Sequence, residues 1–116
     1  MFKSVIAGYS RSPFTMARKG ALIDIKPVNM LAEVVKNLVK KTNVNKHDIE
    51  DIVVGCAFQV GEQCFNIGKL VTFLTDMEIK TSGMTVDRWC GSSMEAIHTA
   101  AGKIAMGSGK VFICGG

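Results

Sequence analysis

The sequence predicts an α/β fold built on a mainly parallel sheet. Two short runs, Ile52 to Gly55 and Val111 to Cys114, are continuously apolar, as strands covered on both faces require. Between the extended runs, apolar residues recur at helical spacing. The resulting order, β-α-β-α-β-α-β, is the one that right-handed crossovers assemble into a parallel layer.

The elements follow in chain order. Phe2 to Gly8 reads as a first strand, buried in its second half, and Tyr9 to Gly20 as a polar loop. Arg11-Ser12-Pro13-Phe14 is extended or turned, because a residue before proline avoids the helical region. Pro27 opens a helix, where its missing N–H costs nothing. Leu31, Val34, Val35 and Leu38 form that helix's apolar stripe, and Lys40 and Lys41 complement its negative end. Asn45 caps a possible helical turn before the strand at Ile52 to Gly55. Gln59 to Gln63 is a loop. Asn66 to Leu74 is a helix with Ile67, Leu70, Val71 and Leu74 on one side. Met84 to Val86 is a strand leading to Cys90. The helix after it carries Met94, Ile97, Ala101, Ile104 and Ala105 on one face. Gly107-Ser108-Gly109 stops that helix, and Val111 to Cys114 is the last strand.

Composition narrows the function classes. The chain has 116 residues, 47% of them hydrophobic, enough for one folded unit with a core. The net charge is +4, but the lysines are scattered among acids. Nucleic-acid binding calls for a clustered basic stripe with stacking aromatics, and there is one Trp and one Tyr. No apolar run spans a bilayer, and residues 1–10 lack the core of a signal peptide. The expectation is a cytoplasmic protein with neither a nucleic-acid nor a membrane partner. Four cysteines show no C-x-x-C pair, and with two histidines a zinc site has poor support. No metal is expected.

The chemistry concentrates at Thr85-Val86-Asp87-Arg88-Trp89-Cys90-Gly91-Ser92-Ser93-Met94. Cys90 falls where a strand gives way to a helix, and the free N–H groups and positive dipole end there favour an anion. Position alone leaves two readings open, an activated nucleophile or a small buried thiol in a tight turn. Strand alternation puts Arg88 on the side of Cys90; it either favours a thiolate or pairs with an acid elsewhere. A nucleophilic cysteine wants a base. His98, eight residues on, lies about 12 Å away along one helix, too far for a hydrogen bond, and His47 reads as surface. Cys56, Cys64 and Cys114 read as core or loop thiols. The glycines near the end are not a phosphate loop, because Ile104 and Val111 occupy the positions that need Gly and Ser or Thr.

The stretch Thr85 to Ile97 resembles the nucleophile segment of thiolases. Arg11-Ser12-Pro13-Phe14, Lys19-Gly20-Ala21-Leu22, Asp24 and Pro27 resemble the family's N-terminal pattern. Gly55-Cys56-Ala57-Phe58, Gly61-Glu62-Gln63 and Asn66 resemble its second-strand region. The likeness is to 3-ketoacyl-CoA thiolases and acetyl-CoA acetyltransferases. It implies acyl transfer between coenzyme A thioesters through an acyl-cysteine at Cys90, either as thiolytic cleavage of a 3-ketoacyl-CoA or as a Claisen condensation of acetyl-CoA. Coenzyme A thioester enters as substrate, and no cofactor is implied.

The resemblance also implies that residues 1–116 are part of the family's N-terminal domain, one half of a layered αβαβα body that forms dimers or tetramers. In the family the second cysteine, the G-H-P histidine, the N-E-A-F asparagine and the CoA-binding loop domain lie further along and are not among these residues. The expectation is therefore a chain inactive alone. The alternative is a catalytically incomplete subunit that acts only with a partner chain. Asp87 stands where asparagine is usual, and Ser12 where threonine is commoner.

Overall fold

Ile49–Gly55 forms β1, the central strand of the sheet. The computed structural model describes residues 3–116. β1 lies between Ser82–Val86 (β2) and Val111–Gly115 (β3), and both pairings are parallel. Val53 is level with Met84 on one side and Cys114 on the other. Ile49, Ile52, Val53 and Val54 are all buried, which is why this run carries no polar alternation.

Three helices cover the sheet among the described residues: α1 (Pro27–Thr42), α2 (Ile67–Leu74) and α3 (Ser92–Ala105). Val35 and Val39 of α1 and Ile67 and Val71 of α2 meet Ile52 and Val54 in one core. Asp51 and Gly55, on the alternate face of β1, meet Lys103 and Ser92 of α3. α1 starts with proline in its first turn and ends in Lys40 and Lys41, with Asn43 left-handed after it. The Asn45 side chain accepts from His47 N–H in a short 3₁₀ turn before β1. Asn66 caps α2 by accepting from Lys69 N–H at 3.1 Å, and its amide donates to Gly83 O on β2 at 2.7 Å. One side chain thus ties α2 to its neighbouring strand.

The α/β class and the parallel sheet stand, with three differences in detail. The expected first strand does not form: residues 3–12 carry no regular structure, and Val5 and Ile6 are exposed. Phe2, with which that strand was to begin, lies outside the described residues. Residues 3–8 run along a cleft of about 1110 Å³ whose other wall includes β3, so no strand lies alongside to complete a ladder. Lys41 holds this arm to the end of α1, donating to Tyr9 O at 3.2 Å.

α3 turns a different face to the sheet from the one expected. Ser92, Ala96 and Ala100 are buried, whereas Met94 and Ile97 are exposed and Ala105 lies on the surface. Small side chains let the helix approach β1 closely, and Ile97, Ala101 and Ile104 turn to the cleft. The α1 stripe does face the core, with Val35 buried and Leu31 and Leu38 packed against it, and Ala32 and Val39 are buried beside it. On α2, Gly68 and Thr72 are buried where Leu70 and Leu74 were expected. A Cβ on Gly68 would overlap Met84 of β2, so a bulkier side chain cannot face the strand there.

Candidate functional site

The site begins where β2 ends. Val86 O accepts from Cys56 N–H at 2.9 Å, which locks the C-terminal ends of β1 and β2 together. The chain then leaves the sheet through Asp87 and Arg88. Trp89 adopts the left-handed conformation, with φ of 47°, uncommon for a bulky residue. Trp89–Gly91 make one 3₁₀ turn, closed by Gly91 N–H to Arg88 O at 2.9 Å, and α3 starts at Ser92. Cys90 is the middle residue of that turn and is exposed.

Two side chains fasten the turn. Asp87 Oδ1 accepts from Trp89 N–H at 2.8 Å. Ser92 Oγ accepts from Arg88 N–H at 2.8 Å and donates to Trp89 O at 2.6 Å. The start of α3 presses directly on the sheet, because a Cβ at Gly55 would overlap the backbone of Ser92 and Ser93. Glycine is therefore required at the end of β1 for backbone approach. A Cβ at Gly116 would in turn overlap Gly55 O. The thiol thus sits at the carboxyl ends of a parallel sheet, beside a helix start, which is the usual reactive end of such sheets.

Arg88 resolves to the second of its two readings. Its Nε lies 2.7 Å from Glu95 Oε2 on α3, an ion pair across the turn. Strand alternation does not govern its direction, since residues 87–89 lie outside the strand. The structure brings neither histidine to Cys90. His98 is exposed two turns into α3, and His47 precedes β1, at the opposite end of the sheet. Trp89 and Phe58 are both exposed, and their rings meet edge-on at 6.2 Å beside the turn.

The other thiols differ in setting. Cys56 is buried directly after β1, and Cys64 and Cys114 are half-buried. Burial, with a smaller contribution from the Asp51 carboxylate, pushes the Cys114 thiol up to about 11. Asp51 itself is buried and pairs with Lys103 of α3. Sequence reading missed this pair, because its partners are fifty-two positions apart. It also missed what Asp87 and Ser92 do in the turn, although an Asp two residues before a left-handed position and a serine at a helix start are recognisable turn signals. The cleft beside β3 reaches Gly55, Cys56, Phe58 and Gly116 at this end of the sheet, while Trp89 and Cys90 are not in its walls. Among the described residues no group of three or more His, Cys, Asp or Glu is placed to hold a metal ion. No described helix is long and apolar enough to cross a membrane.

Comparison with known proteins places these features. The family model for the thiolase N-terminal domain matches residues 4–116. A 3-ketoacyl-CoA thiolase of Marinomonas sp. is 42% identical over 97% of this chain and 29% of its own length. A second 3-ketoacyl-CoA thiolase, from Psychrobacter sp., is 40% identical over the same shares. The crystal structure of Bacillus anthracis acetyl-CoA acetyltransferase superposes with a TM-score of 0.75 at 28% identity, covering 83% of this chain and 24% of that one. The chain therefore spans less than a third of the length of these relatives.

Proposed function

The chain belongs to the thiolase family, and from that membership we propose that Cys90 is the residue on which the acyl group is carried. The observation that carries the reading is the position of an exposed thiol in a fastened turn between β2 and α3. An anionic sulfur there lies next to the positive end of α3.

The reaction is acyl transfer between coenzyme A thioesters. The Cys90 thiolate attacks the keto carbon of a 3-ketoacyl-CoA. The carbon–carbon bond next to it breaks, and the departing carbanion takes a proton to leave as acetyl-CoA. The thiolate of a free CoA then attacks the acyl-cysteine thioester, forming the shortened acyl-CoA and restoring Cys90. The reverse sequence condenses two acetyl-CoA molecules. Carbon–carbon cleavage needs a proton donor for the departing carbanion, and neither histidine of the chain is placed to act, whereas exchange of an acyl group between two thiolates needs no such donor. In this reading those groups, and most of the CoA-binding surface, come from outside these 116 residues, in the same protein or a partner chain. β2 is an edge strand of the sheet, which supports pairing with a second copy along Ser82–Val86.

The test is to map which cysteine becomes acylated after incubation with acetyl-CoA, by peptide mass spectrometry of the intact chain. The expected result is an adduct on Cys90 and none on Cys64. Equal labelling of both, or labelling of Cys64 alone, contradicts the reading.

A further inference from the structure

We propose that Asp87 and Ser92 form a clasp that sets the direction of the Cys90 thiol, and that both are positioning residues for the acyl transfer. The inference rests on the reading of Cys90 above and adds the question of what holds it.

Trp89 has a backbone conformation that a large side chain does not choose by itself, with φ of 47°. Such a conformation persists only where the surroundings over-determine it. Here they do so from both sides. The Asp87 carboxylate holds the Trp89 N–H, and the Ser92 hydroxyl holds the Trp89 carbonyl, at 2.8 and 2.6 Å. The same hydroxyl accepts the Arg88 N–H, so one buried side chain serves the residues on both sides of the bend. Cys90 is the next residue, and its Cα–Cβ direction follows from how Trp89 is held. Release of the clasp lets Trp89 return to an ordinary φ, and the thiol swings away from the start of α3.

The acidic side chain at position 87 fits this role as an acceptor. The bond it makes is to a backbone N–H, and the amide oxygen of asparagine accepts the same bond. The charge is therefore dispensable and the acceptor is not.

The chain's sole tryptophan is Trp89 itself, which makes the clasp directly observable. Time-resolved anisotropy of Trp89, and the iodoacetamide alkylation rate of Cys90 relative to Cys64, are measured for the 116-residue wild type and for D87A, D87N, S92A and S93A. D87A and S92A are expected to add fast local motion at Trp89 and to lower the Cys90-to-Cys64 ratio about threefold. D87N is expected to match wild type in both, and so is S93A, which changes an exposed serine. Asp87 is exposed, so D87A keeps the fold. S92A alters a buried residue and is scored with Cys56 remaining unreactive. D87A indistinguishable from wild type, or D87N as disturbed as D87A, overturns the proposal. Acetylation by acetyl-CoA separates the two claims. If wild type is acetylated at Cys90, D87A slows that step about tenfold, since misorientation of a nucleophile costs at least that. Equal rates reject the clasp alone, and an unacetylated wild type rejects the nucleophile reading while the anisotropy still decides the clasp.

Discussion

Gly55, the last residue of β1, touches Ser92, the first residue of α3, so closely that no Cβ fits between them. This contact puts the helix that follows Cys90 directly on the end of the central strand. Gly55→Ala is therefore expected to destabilise the chain by about 1–3 kcal/mol, the usual cost of overpacking. Gly102→Ala, in the same helix but with open space around the added methyl, is expected to stabilise it by up to about 1 kcal/mol. Urea unfolding of the two variants beside wild type checks both signs. Equal and opposite results from those stated would mean that α3 does not sit on β1 as described.

Much of this arrangement is legible in the sequence. Ile52 to Gly55 announces a doubly covered strand because it lacks any polar alternation, and Pro27, Asn45 and Asn66 mark the starts of their helical segments by known local chemistry. Periodicity was a poorer guide to which side of a helix is buried. It favours large apolar residues, whereas α3 packs on the sheet through Ser92, Ala96 and Ala100. The strand expected from Phe2 to Gly8 depends on a neighbour that local sequence cannot supply. Cys90 was visible as a thiol at a strand–helix junction. The hydrogen bonds of Asp87 and Ser92 around it were not, because they follow from the left-handed turn at Trp89.

The ion pair of Asp51 with Lys103 joins the opposite end of the sheet to α3. Asp51 is buried, and its second carboxylate oxygen has no hydrogen-bond partner among the described residues. Lys103→Ala leaves that charge uncompensated and is expected to cost about 3 kcal/mol. The joint replacement Asp51→Leu with Lys103→Met removes both charges and is expected to be close to neutral. Chemical denaturation of the single and paired variants distinguishes these outcomes. A single variant as stable as wild type would show that the pair contributes nothing.

Cys114 gives the fold an alkaline limit. Its thiol is raised from the ordinary 9.0 to about 11, chiefly by burial. In the unfolded chain the thiol ionises first, so the folded state is favoured while the group stays protonated. That contribution is present in full below pH 9 and is lost as pH rises toward 11. Melting curves across this window are expected to fall more steeply for wild type than for Cys114→Ala. Parallel curves would contradict the burial of this thiol.

The chain alone is expected to show no steady cleavage of acetoacetyl-CoA, since neither histidine reaches Cys90 to manage the protons. A spectrophotometric thiolysis assay on the purified chain checks this. Sustained turnover that survives His98→Ala and His47→Ala would require a base within these residues that the structure does not show.

The carrier role of Cys90 is tested most directly by the two halves of the transfer on a single sulfur. The chain is loaded with acetyl-CoA, freed of excess thioester, and then given free CoA, while the mass of the Cys90 peptide is followed. The acetyl group is expected to appear on Cys90, to leave again when CoA is added, and never to appear in Cys90→Ser. An adduct that CoA cannot discharge, or one that forms equally well in Cys90→Ser, would contradict it.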